Sequence, residues 1–270
     1  MLALRYFVFL IITTSFTVPL ASAPLYSIGN SLTFDALRRF AGDFDHTINC
    51  NQNLDRIFNN PEQTCVPTLE GARPWDDAFA TESYDFVTVQ PFVGTSLSQD
   101  VAAISAWMTL QPDAQFIIHT GWTSAGARES QFNAPLDPGR LSYGPAYFDE
   151  LIYQLESAFP GRRVASTNII GTLDDIADDI AAGVSPITSI ADFYRDPIHF
   201  NATGQYIATQ SFNLLTGTPL DLSRFSSVDE TTRQYLDVKI AANIIAVPEP
   251  GTGSLAVGLA FTLTIRRRRC

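Results

Sequence analysis

The stretch that decides the fold is Leu25-Tyr26-Ser27-Ile28-Gly29-Asn30-Ser31. A short apolar run ends at Gly29, and a helix pattern follows through Leu37 and Phe40 to Ala41. The same alternation continues along the chain. Thr47 to Cys50 reads as a second strand, and Phe86-Val87-Thr88-Val89 as a clear β-branched strand preceded by a helix with Trp75, Ala78 and Phe79. A helix from Ser98 places Val101, Ile104, Trp107 and Met108 on one face and ends near Gln111-Pro112, before a strand from Gln115 to His119. Gly121 to Ser142 is a loop rich in Gly, Ser, Asn and Pro, long enough for a lid or wall. Beyond it come a helix from Tyr143 to Phe159, a strand from Arg163 to Ser166, and helices over Leu173–Ala182 and Gly204–Leu215. Strands separated by helices imply an α/β fold: a three-layer α/β/α sandwich around a central parallel sheet.

Sites in such sheets form at the carboxyl ends of the strands. Ser31 follows the first strand, Gln90 ends the third, and His119 and Trp122 flank the end of the fourth. Far downstream stands Asp196-Pro197-Ile198-His199, in a chain with 3 histidines. In a helical or turn-like segment, residues three apart share a side. Asp196 can then hold the ring of His199 while the other ring nitrogen faces outward. A carboxylate, an imidazole and the Ser31 hydroxyl are the groups that acyl transfer by a serine nucleophile needs. The alternative is a solvated loop that contains Asp and His.

Other residues carry weaker readings. Ser31 sits where a serine can also cap a helix. His119 reads as a site wall or a hydrogen-bonded core residue, Trp122 as a substrate wall or a packing residue, and His46 as a surface or strand-edge residue. The pairs Asp174-Asp175 and Asp178-Asp179 read as a solvated helix face, since no EF-hand loop spacing occurs. Asn201-Ala202-Thr203 matches a glycosylation pattern, but its place beside His199 argues for a structural use. No pair of histidines has metal-ligand spacing, so no zinc is expected.

The ends of the 270-residue chain read as processing segments. Residues 1–23 have the form of a secretory signal peptide: Arg5, an apolar stretch from Tyr6 to Leu20, and Ala21-Ser22-Ala23. At the other end Val247-Pro248-Glu249-Pro250 precedes an apolar run from Gly251 to Ile265 and then Arg266 to Arg269. This order resembles the PEP-CTERM sorting signal of exported bacterial proteins. The resemblance implies recognition by an exosortase-type membrane protease and transient membrane association, with the arginines held on the cytoplasmic side. Gly251-Thr252-Gly253-Ser254-Leu255-Ala256 lacks the strand-to-helix context of a dinucleotide site.

Between these ends lies one domain, about residues 24–217, with a helical extension over 218–246 that carries a helix pattern from Val228 to Ile245. Without Arg5 and Arg266–Arg269 the formal charge goes from −11 to −16, which argues against nucleic acid as a partner. Cys50 and Cys65 suit a disulfide in an exported protein, closing a loop worth roughly 3 kcal/mol. Two buried free thiols are the alternative.

Ser27-Ile28-Gly29-Asn30-Ser31-Leu32-Thr33, followed by Asp196-Pro197-Ile198-His199, resembles the SGNH (GDSL-type) hydrolase superfamily over about residues 25–216. The resemblance implies a flavodoxin-like sheet, Ser31 as nucleophile, His199 and Asp196 as its partners, and no cofactor. The family draws oxyanion donors from a glycine after the second strand and an asparagine after the third. This chain has Asn49-Cys50-Asn51-Gln52 and Gln90 at those places. The glutamine amide can donate from a longer arm. Asn51 can offer its backbone N–H, because Asn tolerates left-handed backbone. The expectation is an exported serine esterase acting on a small ester or an acylated polysaccharide. The alternatives are a degenerate fold of this type that binds carbohydrate without catalysis, and a structural cell-surface component.

Overall fold

The computed structural model describes residues 25–247, so the leader-like segment 1–23 and the tail beyond Val247 lie outside the described residues. In chain order the elements are β1 (Leu25–Gly29), α1 (Ser31–Leu37), β2 (Phe44–Ile48), α2 (Leu54–Asn59), α3 (Trp75–Thr81), β3 (Phe86–Val89) and α4 (Leu97–Leu110). They continue with β4 (Gln115–Ile118), α5 (Arg128–Phe132), α6 (Pro145–Ala158), β5 (Ala165–Ser166), α7 (Ile169–Ala181), α8 (Ala202–Thr216) and α9 (Glu230–Asn243). The strands pair in parallel in the order β2-β1-β3-β4-β5. Helices α2, α3, α4 and α6 bury their apolar faces with Tyr26, Ile28, Val87, Val89, Phe116 and Ile118 on one side of the sheet. Helices α1, α7, α8 and α9 pack with Leu25 and Ile48 on the other. The result is a three-layer α/β/α sandwich.

The order reverses between β1 and β3, the switch point where the loops after neighbouring strands part and leave a crevice. The register aligns the strand ends: Ile28 pairs with Val89 and Val89 with Ile118. Gly29, Gln90 and His119 therefore stand at one level across three adjacent strands, with Asn30 and Ser31 just beyond.

Several expectations are corrected. The second strand covers Phe44–Ile48, not Thr47–Cys50, because its register with β1 begins at Phe44 and Cys50 is spent in a disulfide with Cys65, Cα–Cα 5.6 Å. His46 lies on the edge strand β2, as one reading of it had it, but it is fully buried rather than at the surface. The chain returns over it, with Gly71 accepting from the His46 N–H and His46 accepting from that of Arg73. Helix α1 stops at Leu37, where the Phe40 N–H turns back to the Leu37 carbonyl. Helix α2 was not anticipated; Asn53 caps it by accepting from the Arg56 N–H. The capping residue of α4 is Ser96, two places before the expected start. Helix α7 begins at Ile169 rather than Leu173.

The segment 121–142, expected as a loop, is not loop throughout. It holds a 3-10 turn at Ala125–Ala127 and helix α5, and it is fastened by an Arg128–Asp174 ion pair and by Tyr194 donating to the Thr123 carbonyl at 2.7 Å. The acidic row of α7 is likewise not simply solvated. Lys239 of α9 lies 3.3 Å from Asp175 and 2.7 Å from Asp179, and Tyr235 donates to Asp179. Leu236 and Ile240 of α9 are fully buried against the same helical layer, so the segment after residue 217 packs on the sandwich. Ile245 then exchanges two backbone hydrogen bonds of 2.9 Å with Ser166, covering the edge of the two-residue strand β5.

Candidate active site

The turn after β1 is built for close approach. A side chain at Gly29 would put its Cβ 2.0 Å from Thr33 Oγ1 and 3.0 Å from Gln90 Cβ, so only glycine admits these neighbours. Asn30, not Ser31, caps α1: its side chain accepts from the Leu32 N–H at 3.0 Å. The Ser31 hydroxyl is thereby left for another partner.

That partner is His199. Its Nε2 lies 3.1 Å from Ser31 Oγ, across 168 positions of sequence. Its Nδ1 lies 3.0 Å from both carboxylate oxygens of Asp196. With the proton on Nδ1 donated to Asp196, Nε2 is free to accept from the serine hydroxyl. Asp196 Oδ1 also accepts from the N–H groups of His199 at 2.8 Å and Ile198 at 3.0 Å. Chiefly these two backbone donors, and then the imidazole, hold the Asp196 carboxyl down at about 2. Asp196 is therefore ionised at neutral and mildly acidic pH. The Asp-Pro-Ile-His stretch is a turn rather than a helix, closed by the Arg195 N–H donating to the His199 carbonyl at 2.9 Å.

Gln90 is fully buried, and its amide has one orientation imposed on it. Oε1 accepts from Thr33 Oγ1 at 2.6 Å, the Thr33 N–H at 3.0 Å and the Asn30 N–H at 3.4 Å. The carbonyl end is saturated. Among the described residues the amide nitrogen has no hydrogen-bond partner, and a buried orphan donor costs stability unless something fills the gap. Asn51 takes φ +58, in the left-handed region. The turn around it uses the N–H groups of Asn49, Cys50 and Gln52, donated to the Gly29 carbonyl, Cys65 Sγ and the Asn49 carbonyl; that of Asn51 is in none of these bonds.

His119 and Trp122 do not line the crevice. His119 is fully buried against Phe212, its ring centroid 5.0 Å away, and its Nδ1 meets Thr167 Oγ1 at 3.2 Å. Burial drives its pKa down to about 3, so the ring is neutral. Trp122 is also fully buried and works from behind, stacked on Phe200 and donating from Nε1 to the Ile198 carbonyl at 2.6 Å. Both take the packing role that was the alternative for them. Asn201 is committed as well, its side chain capping α8 through the N–H groups of Thr203 and Gly204.

Three residues that sequence reasoning missed complete the site: Thr33, which orients Gln90, and Asp35 and Arg195, which join α1 to the His199 turn at 2.8 Å. Only Asp35 left a trace in the sequence, as a carboxylate among the inward residues Leu32, Ala36 and Leu37. A shallow cleft of ≈ 440 Å³ opens beside Asp196, walled by Ser124, Ala125, Gly126, Ala191 and Tyr194. A larger one of ≈ 680 Å³ lies at the opposite end of the strands, by Leu25, Phe44 and Gly71. Among the described residues no group of three or more His, Cys, Asp or Glu side chains could hold a metal ion.

No family model and no curated protein sequence matches this chain. Among solved structures, similar architectures include a member of the lipolytic protein G-D-S-L family from Veillonella parvula (10% identity, TM-score 0.45, covering 73% of this chain and 99% of that one). A family 3 carbohydrate esterase from Clostridium thermocellum has 12% identity and a TM-score of 0.43, covering 71% and 94%. Phospholipase A1 from Streptomyces albidoflavus has 12% identity and a TM-score of 0.32, covering 72% and 99%. What those proteins act on is a property of those proteins.

Proposed function

We propose that the chain is a serine ester hydrolase of the SGNH type, with Ser31 as nucleophile, His199 as general base and Asp196 as the group that orients it. The observation that carries the reading is the continuous contact from Asp196 through His199 to the Ser31 hydroxyl, at 3.0 and 3.1 Å. His199 takes the proton as Ser31 Oγ attacks an ester carbonyl. The imidazolium, stabilised by Asp196, returns that proton to the leaving alcohol, and water then releases the acid by the reverse proton path. The Ser31 N–H, the Asn51 N–H and Gln90 Nε2 are the donors for the oxyanion. The reaction asks for no metal or organic cofactor.

The substrate is a small ester or an acylated polysaccharide. The paucity of basic residues in so acidic a chain disfavours a polyanion. We further propose export to the cell surface, periplasm or extracellular matrix, with an exosortase-type protease acting at the tail; the exposed Cys50–Cys65 disulfide supports an oxidising destination.

A fluorophosphonate probe tests the reading. It should phosphonylate Ser31 in the purified protein and leave Ser31→Ala unlabelled, and Ser31→Ala should abolish hydrolysis of acetyl esters without unfolding the chain. Equal labelling of both proteins, or undiminished turnover by Ser31→Ala, would refute it. No labelling of either, together with binding to a glycan array, would favour the non-catalytic alternative.

A further inference from the structure

Asp35 stands one helical turn after Ser31, on the inward face of α1, and has no solvent exposure. A carboxylate taken out of water must be met by donors. Those that meet it come from the far end of the chain. Arg195 Nη1 donates to Oδ1 at 2.8 Å, the Phe200 N–H to Oδ2 at 3.0 Å, and Gln205 Nε2 to Oδ1 at 3.3 Å. Arg195 and Phe200 bracket the turn that carries Asp196 and His199. The two ends of that turn are also stitched to each other, by the Tyr194–Phe200 bridge and by Arg195 donating to the Phe200 carbonyl.

The turn has a second attachment, through Trp122 after β4, to the Ile198 carbonyl and the Phe200 ring. That contact fixes the turn to the sheet. It does not fix the distance from the turn to α1, and α1 carries the hydroxyl.

We propose that Asp35 is a positioning residue: by binding both ends of the 195–200 turn to the helix that starts with Ser31, it sets the separation and angle between the Ser31 hydroxyl and His199 Nε2. Its kinetic consequence rests on the hydrolase reading; its structural consequence does not. A displacement of about 1 Å between reacting groups costs on the order of 100-fold in rate, although neither group has changed. Substrate binding, made elsewhere, is left as it was.

The experiment uses the full chain and two readouts. In Asp35→Asn, which keeps the shape but loses the charge, kcat should fall roughly 10- to 100-fold with KM within about 2-fold. The second readout needs no turnover. The ring ¹⁵N shifts of His199 should respond to Ser31→Ala in the otherwise native protein, and the response should vanish in the Asp35→Asn background. A folded Asp35→Asn protein in which that response persists, or whose kcat stays within about 2-fold of native, overturns the proposal. Should Asp35→Asn not fold, Arg195→Lys decides. Its side chain is partly exposed, and a single nitrogen, Nη1, donates to both Asp35 and the Phe200 carbonyl; lysine keeps the charge, but its nitrogen falls one bond short of where Nη1 stands. Loss of the Ser31 response supports the proposal there, and an unchanged response overturns it. A native protein that hydrolyses no ester sinks the hydrolase reading alone; the ¹⁵N comparison still decides the role of Asp35.

Discussion

The Trp122 indole lies flat on the Phe200 ring, centroids 3.8 Å apart and planes 8° from parallel. One residue follows a central strand and the other ends the turn with the imidazole, so the stack couples sheet to site. Room for the Phe200 ring depends on Gly204, where a Cβ would come within 2.4 Å of it. Trp122→Phe keeps an aromatic surface but removes the donor to the Ile198 carbonyl, a loss of about 1 kcal/mol. Because Trp122 acts through the turn and not on substrate, kcat should fall while KM holds. Steady-state kinetics on an acetyl ester checks this, and a rise in KM at constant kcat would return Trp122 to the substrate wall.

Gln90 offers a sharper test. Thr33 and the backbone of the β1–α1 turn occupy its carbonyl oxygen, so the amide nitrogen points away from them by default. Gln90→Leu should lower kcat on the order of 100-fold, the usual cost of one oxyanion donor. Thr33→Val should lower it less, since it frees the amide to rotate without removing it. If Gln90→Leu turns over like the native protein, its buried amide nitrogen has a purely structural role.

How much of this was legible before the structure depends on what holds each residue. Phe86–Val89 and Gln115–Ile118 announce themselves because a parallel strand covered on both faces is apolar nearly throughout. The edge strand Phe44–Ile48 does not, because Asp45 and His46 interrupt it and the burial of His46 comes from the later segment 69–73 folding back. Asp196 and His199 could be read because their contact is local. The ends of β3 and β4 were both readable, yet the two side chains there are held by different partners. Gln90 has its amide oxygen tied to the β1–α1 turn by Thr33, while α8 brings Phe212 across His119 and closes it into the core. That difference is tertiary, and no local pattern in the chain encodes it.

The Cys50–Cys65 disulfide closes a 15-residue separation directly beside Asn51. Loop-closure entropy puts its contribution at roughly 3 kcal/mol. Cys50→Ser with Cys65→Ser should therefore lower the melting temperature by several degrees. It should also slow phosphonylation of Ser31 more than a distant substitution of equal stability cost, because the Asn51 turn loses its clamp. Matching the comparison protein by melting temperature separates the two effects. Equal labelling rates in the matched pair would remove Asn51 from the oxyanion site.

Asp100 predicts the pH dependence of stability. It is buried between α4 and α6, where Thr95 donates to Oδ1 at 3.0 Å and Tyr147 to Oδ2 at 2.8 Å. Desolvation outweighs these two bonds and pushes its pKa up from 3.8 to about 7. The unfolded chain therefore releases this proton near pH 4, while the folded chain keeps it until about pH 7. The folded state binds the extra proton across that window, so the contribution of Asp100 to stability falls as pH rises from about 4 to about 7 and is flat above it. The penalty at pH 8 is a few kcal/mol at most, about 1.4 for each unit of displacement. Asp100→Asn keeps an acceptor for one neighbour, offers a donor to the other, and carries no charge. Urea unfolding should find the variant no more stable than the native protein at pH 4 and clearly more stable at pH 8. A native-minus-variant difference that does not change between those two pH values would mean that Asp100 is ionised in the fold, with its charge met by solvent.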